Sequence, residues 1–380
     1  QPAPRIAHAR PLPARSFRTG VPEDRGFEHD TWRRLTARAL RTLARSSFLY
    51  GPAEGLPALR EAIAGHVAFV RAVVCEPGDL LITSGAQQAF DLLARLLVTP
   101  GRTMVALENP GYMPARAAFA AAGARLVGVP VDAEGLRVDR LPDGVKVICV
   151  TPSHQMPTGA VMSAARRQAL LARARELGAV IVEDDYDGEF QFEPHAQDAL
   201  QTLDREGRVF YVGTFSKSLF PSLRKGFVVT PPWAREALVD IRRTSDSHGD
   251  AVTQATLAAF IADGHLARHI RRMRPIYRQR REALVKGLDA ALGRWVEVLP
   301  GAAGLHLSVR ARRPAAMPVL LDTVQQHMPG VLPLSAYALG KPSVHGLCMG
   351  YGCVEVEQIV QAVRAAGQAL ARAWPGDAAR

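Results

Sequence analysis

Between residues 79 and 229 short apolar runs alternate with segments of helical periodicity. The runs cover 79–83, 104–108, 125–131, 145–151, 179–184, the stretch from Val209, and the stretch after Arg224. Strands joined through intervening helices run parallel, because each crossover returns the chain to the same end of the sheet. This predicts an α/β domain with a mainly parallel, seven-stranded sheet flanked by helices. Sheets of that kind bind ligands beyond the carboxyl ends of their strands. The polar residues at those ends are therefore the ones to weigh.

The most informative end is Val209-Phe-Tyr-Val-Gly-Thr-Phe-Ser-Lys217-Ser-Leu-Phe-Pro-Ser-Leu-Arg224. A β-branched and aromatic strand leads into a small-residue turn with one lysine, and another apolar strand follows. The chain has five lysines against 42 arginines, so a lysine in this position stands out. Desolvation disfavours its ammonium and frees an amine able to attack a carbonyl, as a Schiff-base lysine must. An isolated strand-end lysine more often snorkels to water, so its neighbours decide between the two.

Those neighbours sit at other strand ends. Ser84-Gly85-Ala86-Gln87 joins a strand to a helix, a turn whose unpaired N–H groups suit phosphate. It lacks the G-x-G-x-x-G spacing of a dinucleotide site. Tyr112 follows Asn109-Pro-Gly, and Asp184 and Tyr186 close a later strand. An amine, a carboxylate, an aromatic ring, a helix N-terminus and a guanidinium are what pyridoxal 5′-phosphate requires. Asp184 would keep the pyridine nitrogen protonated, and Tyr112 would stack on the ring. The helix N-terminus and Arg224 would hold the phosphate, and Tyr186 would hydrogen-bond the ring hydroxyl.

Around this core, residues 1–30 are rich in Pro and Arg and read as an extended linker or arm. Residues 31–75 form an N-terminal helical segment with a possible cap at Asp30-Thr31. Trp32, Leu35, Ala39 and Leu43 lie on one face and Arg33, Arg34, Arg38, Arg41 and Arg45 on the other. Residues 76–260 form the large domain and 261–380 a smaller α+β domain. Its first helix carries Arg268, Arg271, Arg272, Arg274, Arg278, Arg280 and Arg281 around Pro275, predicting a kinked helix with a water-facing basic side.

No run of eighteen uncharged apolar residues is present, so no helical membrane span is expected. The opening Gln-Pro-Ala-Pro-Arg has no apolar signal region, and without an initiator Met the chain reads as a processed or excised piece. Four cysteines without C-x-x-C pairing suggest reduced thiols, no metal, and a cytoplasmic protein. The net charge of +11 favours acidic partners, from phosphate ligands to nucleic acid, without choosing among them.

Six ordered motifs carry a resemblance. Tyr50-Gly-Pro-Ala-Glu-Gly-Leu-Pro-Ala-Leu-Arg60, Thr83-Ser-Gly-Ala-Gln-Gln88, Glu108-Asn-Pro-Gly-Tyr112, Thr151-Pro-Ser-His-Gln-Met-Pro-Thr-Gly159, Glu183-Asp-Asp-Tyr-Asp187 and Thr214-Phe-Ser-Lys217 through Arg224 resemble fold-type-I aminotransferases. More narrowly, they are similar to the aminotransferase-like domain of MocR-type bacterial transcription regulators of the GntR family. Phe17-Arg-Thr-Gly-Val-Pro-Glu23 and the helix after it resemble the segment following those regulators' DNA-binding domain. The resemblance implies a fold-type-I fold, pyridoxal 5′-phosphate as cofactor and a homodimer. It makes Lys217 the aldimine lysine and Asp184 the partner of the pyridine nitrogen, with Asp185 as the alternative. The backbone at Gly85, Ala86 and Gln87 and the hydroxyls of Thr214 and Ser216 would face the phosphate.

Two departures from the catalytic pattern matter. Met156 stands where such enzymes carry an asparagine supporting the ring hydroxyl, leaving His154 or Gln155 as substitutes. Cys348 stands where they carry an arginine that grips the substrate carboxylate, a charge-assisted contact worth about 1.5–3 kcal/mol. The expected function is therefore an effector-sensing domain in which an amino acid, an amine or pyridoxal phosphate itself modulates DNA binding. DNA would be bound only through a winged-helix domain not in this chain. A working aminotransferase is the alternative.

Overall fold

The computed structural model describes residues 13, 15–45, 49–192, 197–301 and 303–374. The first twelve residues of the expected arm lie outside them. The chain opens with α1 (His29–Ala44) and α2 (Pro57–Arg71), followed by β1 (Leu80–Thr83), α3 (Ala86–Leu97), β2 (Met104–Asn109), α4 (Met113–Ala121) and β3 (Arg125–Asp132). Then come β4 (Gly135–Leu136), β5 (Val145–Val150), α5 (Ala164–Leu177), β6 (Val180–Asp185), β7 (Val209–Thr214), β8 (Gly226–Val229) and α6 (Arg235–Asp246). α1 begins just before the expected Asp30-Thr31 cap, buries Leu35 and Ala39, and leaves its four arginines and the C-cap Arg45 exposed as a solvated face.

All seven expected strands are present, and the two-residue β4 adds an eighth at the edge beside β3. The order is β1-β8-β7-β6-β5-β2-β3-β4. Strands β3, β2, β5, β6 and β7 are parallel, whereas β8 is antiparallel to both β7 and β1. The reversal follows from the connection: β7 and β8 are joined by the lysine turn and not by a helical crossover. Both faces are covered. Val105, Val147, Val182 and Phe210 pack with Phe90 of α3 and Phe119 of α4, while Ala106, Ile148 and Ile181 pack with Leu170 and Ala174 of α5. Two-sided burial explains why these strands read as continuous apolar runs.

The remainder is α7 (Ala251–Ala262), α8 (His265–Leu292), β9 (Val296–Val298), β10 (His306–Ala311), α9 (Met317–His327), β11 (Leu332–Pro333), β12 (Gly346–Gly350) and α10 (Val356–Ala373). A four-stranded antiparallel sheet, β11-β12-β10-β9, carries the expected small α+β domain. α8 continues through Pro275 as one helix. Arg271, Arg274 and Arg278 are exposed as expected, but Arg280 is buried. Its guanidinium meets Glu23 at 2.5 Å and Glu355 at 2.9 Å. Burial alone would raise the Glu23 pKa, yet the bond and charge of Arg280 outweigh it and bring the carboxyl to about 2.

That ion pair clamps the arm, which is packed where it is described. Phe17 is buried, its N–H donates to the Pro329 carbonyl (2.8 Å), and its carbonyl accepts from Gly350 N–H (2.8 Å). The Glu23 N–H donates to the Tyr277 hydroxyl at 3.0 Å. These contacts carry Gly20 to the end of β7.

Candidate functional site

At the end of β7 the Phe215 N–H donates to the Lys225 carbonyl (3.1 Å), folding the turn so that Lys217 projects toward the arm. Its Nζ donates to the Gly20 carbonyl at 2.8 Å. Burial lowers the Lys217 pKa, against the raising charges of Asp187 and Asp184, and Arg18 and Arg224 add to the lowering. The amine is thus biased toward its neutral, nucleophilic form. A β-carbon at Gly20, where φ is +73°, would lie 2.6 Å from Nζ. Gly20→Ala should push the amine off its acceptor, lower stability by about 1–2 kcal/mol through the left-handed backbone and slow cofactor capture. Thermal melts and stopped-flow absorbance read the two effects, and an unchanged capture rate would exclude a holding role for Gly20.

Successive residues of a strand point to opposite faces, and this separates the two aspartates closing β6. Asp185 accepts from Arg71 Nε (2.7 Å) and from the Tyr211 hydroxyl (2.8 Å). Asp184 Oδ1 is buried with no hydrogen-bond partner, and the side chain lines a cavity with Glu108, Tyr112, Cys149 and Thr151. Burial, then the charges of Asp185 and Asp187, hold its pKa well above the carboxylate range, with Lys217 opposing. A cation or N–H donor placed there would restore its charge. Tyr112 caps α4 and meets Phe90 edge-on, ring centroids 6.1 Å apart.

Gly85, at φ +79°, turns the chain into α3, whose N-terminus has no side-chain cap. A β-carbon there would lie 3.0 Å from both terminal nitrogens of Arg224. Arg224 takes a left-handed φ of +49° and donates to the Ser84 carbonyl at 2.7 Å. Thr214 Oγ1 donates to Ser216 Oγ (3.0 Å) and accepts from Ser216 N–H (3.2 Å). The Gln87 side chain reaches the Pro114 carbonyl (3.3 Å), so only backbone N–H groups of Ala86 and Gln87 face the open end of α3.

The Tyr186 hydroxyl donates to the His154 carbonyl (2.8 Å) and lies 3.2 Å from His154 Nδ1, which is 3.0 Å from Asp187. Gln155 is committed elsewhere: its amide donates to Glu108 (3.0 Å), Pro110 (3.0 Å) and Met156 (2.8 Å). Of the two substitutes for the missing asparagine, the structure sets only His154 beside Tyr186. His154, Asp187 and His306 present metal-ligating atoms within 4.8 Å of one another. All three side chains make hydrogen bonds, His154 Nδ1 with Asp187 and His306 Nε2 with the Pro157 carbonyl at 3.2 Å, so the cluster joins β10 to the segment after β5.

Beneath Tyr112, Glu108 accepts from Thr151 (2.6 Å) and Gln155 (3.0 Å), yet burial raises its pKa to about 7. A carboxyl whose pKa is raised by folding stabilises the protein below its unfolded value, and that stability is lost as pH rises toward 7. The loss amounts to about 3 kcal/mol. Glu108→Gln should therefore lose less stability than the parent between pH 4.5 and 7.5 in denaturant titrations. Parallel pH profiles would refute this.

Gly20, Glu108, Asp187, Arg71 and His306 were missed as site or support residues by sequence reasoning. Gly20, Glu108 and Asp187 lay inside the quoted motifs. The others arrive through contacts between distant segments.

A strand reversed next to the lysine turn, with an unpartnered buried acid on the strand beyond, defines a fold-type-I scaffold for pyridoxal phosphate. The sequence matches the family Aminotransferase class I and II over residues 22–335. It is 36% identical over 348 residues to the probable rhizopine catabolism regulatory protein MocR of Rhizobium meliloti, covering 91% of this chain and 70% of that protein. It is 35% identical to the uncharacterized HTH-type transcriptional regulator YhdI of Bacillus subtilis, covering 97% and 77%. Among solved structures, kynurenine aminotransferase of Pyrococcus horikoshii superposes with a TM-score of 0.86 at 26% identity, covering 94% and 91%. The chain belongs to the aminotransferase class I and II family, in its MocR-type regulator branch. Pyridoxal phosphate is the cofactor that membership implies, and the residues present fit it. Asp184 Oδ1 is buried and unpartnered, and the uncapped α3 N-terminus lies beside Arg224.

Proposed function

We propose that this chain is the ligand-sensing domain of a MocR-type transcription regulator, with pyridoxal phosphate bound at Lys217. When bound, the cofactor supplies an electrophilic carbon and an electron-withdrawing ring. Lys217 provides the amine that holds it, and Asp184 the charge that keeps the pyridine nitrogen protonated. Tyr112 covers the ring; Tyr186 and His154 flank the ring hydroxyl. Gly85, Ala86, Gln87, Thr214, Ser216 and Arg224 hold the phosphate. An effector that interacts differently with the two arrangements of the protein would shift their balance and so alter DNA binding through a winged-helix domain.

The observation that carries this reading over catalysis is the buried Cys348, at the place where the resemblance expects a guanidinium. Half-reaction assays with L-amino acids should show no sustained turnover. Keto acid produced over many cycles at ordinary enzymatic rates would reject it. The likeness to kynurenine aminotransferase favours the second reading, a working aminotransferase, which the same assay would reveal. The exposed Leu49, Tyr50, Phe69 and Val74 support a homodimer, because a second copy would cover apolar surface of this kind. Among the described residues no helix is long and apolar enough to cross a membrane.

A further inference from the structure

His154 follows β5 and Asp187 follows β6 at the carboxyl end of the eight-stranded sheet, whereas His306 opens β10 of the four-stranded one. All three are buried, and each presents one metal-ligating atom within 4.8 Å of the other two. The rings of His154 and His306 lie 4.4 Å apart, centroid to centroid. The Pro157 carbonyl can only accept, so His306 Nε2 is the donor in their 3.2 Å contact. Burial disfavours a charged imidazole, which leaves a lone pair on His306 Nδ1. A ring that gives its other N–H to a backbone carbonyl is oriented as metal-ligating histidines are. His154 Nδ1 faces both oxygens of Asp187, at 3.0 and 3.2 Å. Donors about 2.0–2.2 Å from one tetrahedral ion lie about 3.3–3.6 Å from each other. The His154–Asp187 pair is close to that spacing already, and a movement of about 1 Å brings the wider pairs to it.

We propose that His154, Asp187 and His306 bind one zinc(II) ion, which fastens β10 to the segments after β5 and β6. Two imidazoles and a carboxylate are a ligand set that zinc takes. The fourth position falls to water or to the Tyr186 hydroxyl, 3.2 Å from His154 Nδ1. The ion replaces the proton between His154 and Asp187, which passes to solvent, and nothing is oxidised or reduced. The cysteine spacing that argued against a metal does not bear on this site, since no cysteine belongs to the cluster.

The test takes the cofactor-loaded chain, freed of metals by a chelator and of excess cofactor, and titrates it with zinc chloride by calorimetry. One ion per chain should bind at micromolar zinc and raise the melting temperature. Cobalt(II) chloride should give the visible ligand-field bands of a tetrahedral nitrogen and oxygen site. His306→Ala and Asp187→Asn should each weaken zinc binding beyond the about 10–100-fold that losing an outer partner of a ligand costs. His248→Ala removes a histidine outside the cluster and should leave binding unchanged. The parent chain decides even where a variant misfolds, because the cobalt bands report its ligands directly. Absence of stoichiometric binding, cobalt bands of an octahedral all-water ion, or binding that survives both substitutions would overturn the proposal. Zinc binding with these properties in a chain that forms no cofactor band would uphold it while removing the Lys217 assignment, on which it does not rest.

Discussion

Lys217→Ala should fold normally and lose the visible absorption of protein-bound pyridoxal phosphate entirely. The amine makes one hydrogen bond, to the Gly20 carbonyl, and a single such bond contributes about 0.5–1.5 kcal/mol. Burial also works against its charge, so the net change in stability is small. The loss of covalent attachment is complete, because no bond to the cofactor's aldehyde can form without the amine. Absorbance after dialysis against pyridoxal phosphate, together with a melt, checks both statements. A persisting band would move the role to another amine, for which the buried Lys225 is the nearest in sequence.

The second large effect separates two neighbouring acids. Arg71 is buried and donates to Asp185 (2.7 Å), Ser153 (2.7 Å) and the Gln197 carbonyl (3.0 Å). Arg71→Met leaves Asp185 as a buried charge with only the Tyr211 hydroxyl, and stability should fall by about 3–5 kcal/mol. Asp184→Asn should behave in the opposite way. Its pKa is raised by burial, so the carboxyl stabilises the fold at low pH and that stability is lost as pH rises above the unfolded value. The amide escapes this loss, and near neutral pH the variant should be at least as stable as the parent. Its cofactor affinity should drop about tenfold to a hundredfold, the order of one charge-assisted hydrogen bond. Urea titrations and cofactor binding on both variants decide the matter. If Asp184→Asn unfolds the protein while binding survives, the roles of the two acids are exchanged.

Much of this was legible in the residues. The seven strands follow from two-sided burial, which writes each as an apolar run, and the reversed β8 follows from a connection too short for an α-helical crossover between Phe215 and Lys225. The placement of Lys217, Asp184 and Gly85 at strand ends and at a helix-opening turn was readable because such positions carry local signals. The choice between Asp184 and Asp185 was not readable, because it depends on which face of β6 meets Arg71 from α2. Nor were the contacts of the arm: Pro and Arg content suggested an extended linker or arm without revealing that Glu23 meets Arg280 across the chain. The arginines of α8 show the same limit, since periodicity marked a basic face without revealing that Arg280 turns inward.

The most direct measurement is reduction of the cofactor-loaded protein with borohydride, followed by proteolysis and mass mapping of the labelled peptide. The account predicts the cofactor's mass on Lys217 alone. Label on Lys225 or another lysine, or none at all, would contradict it.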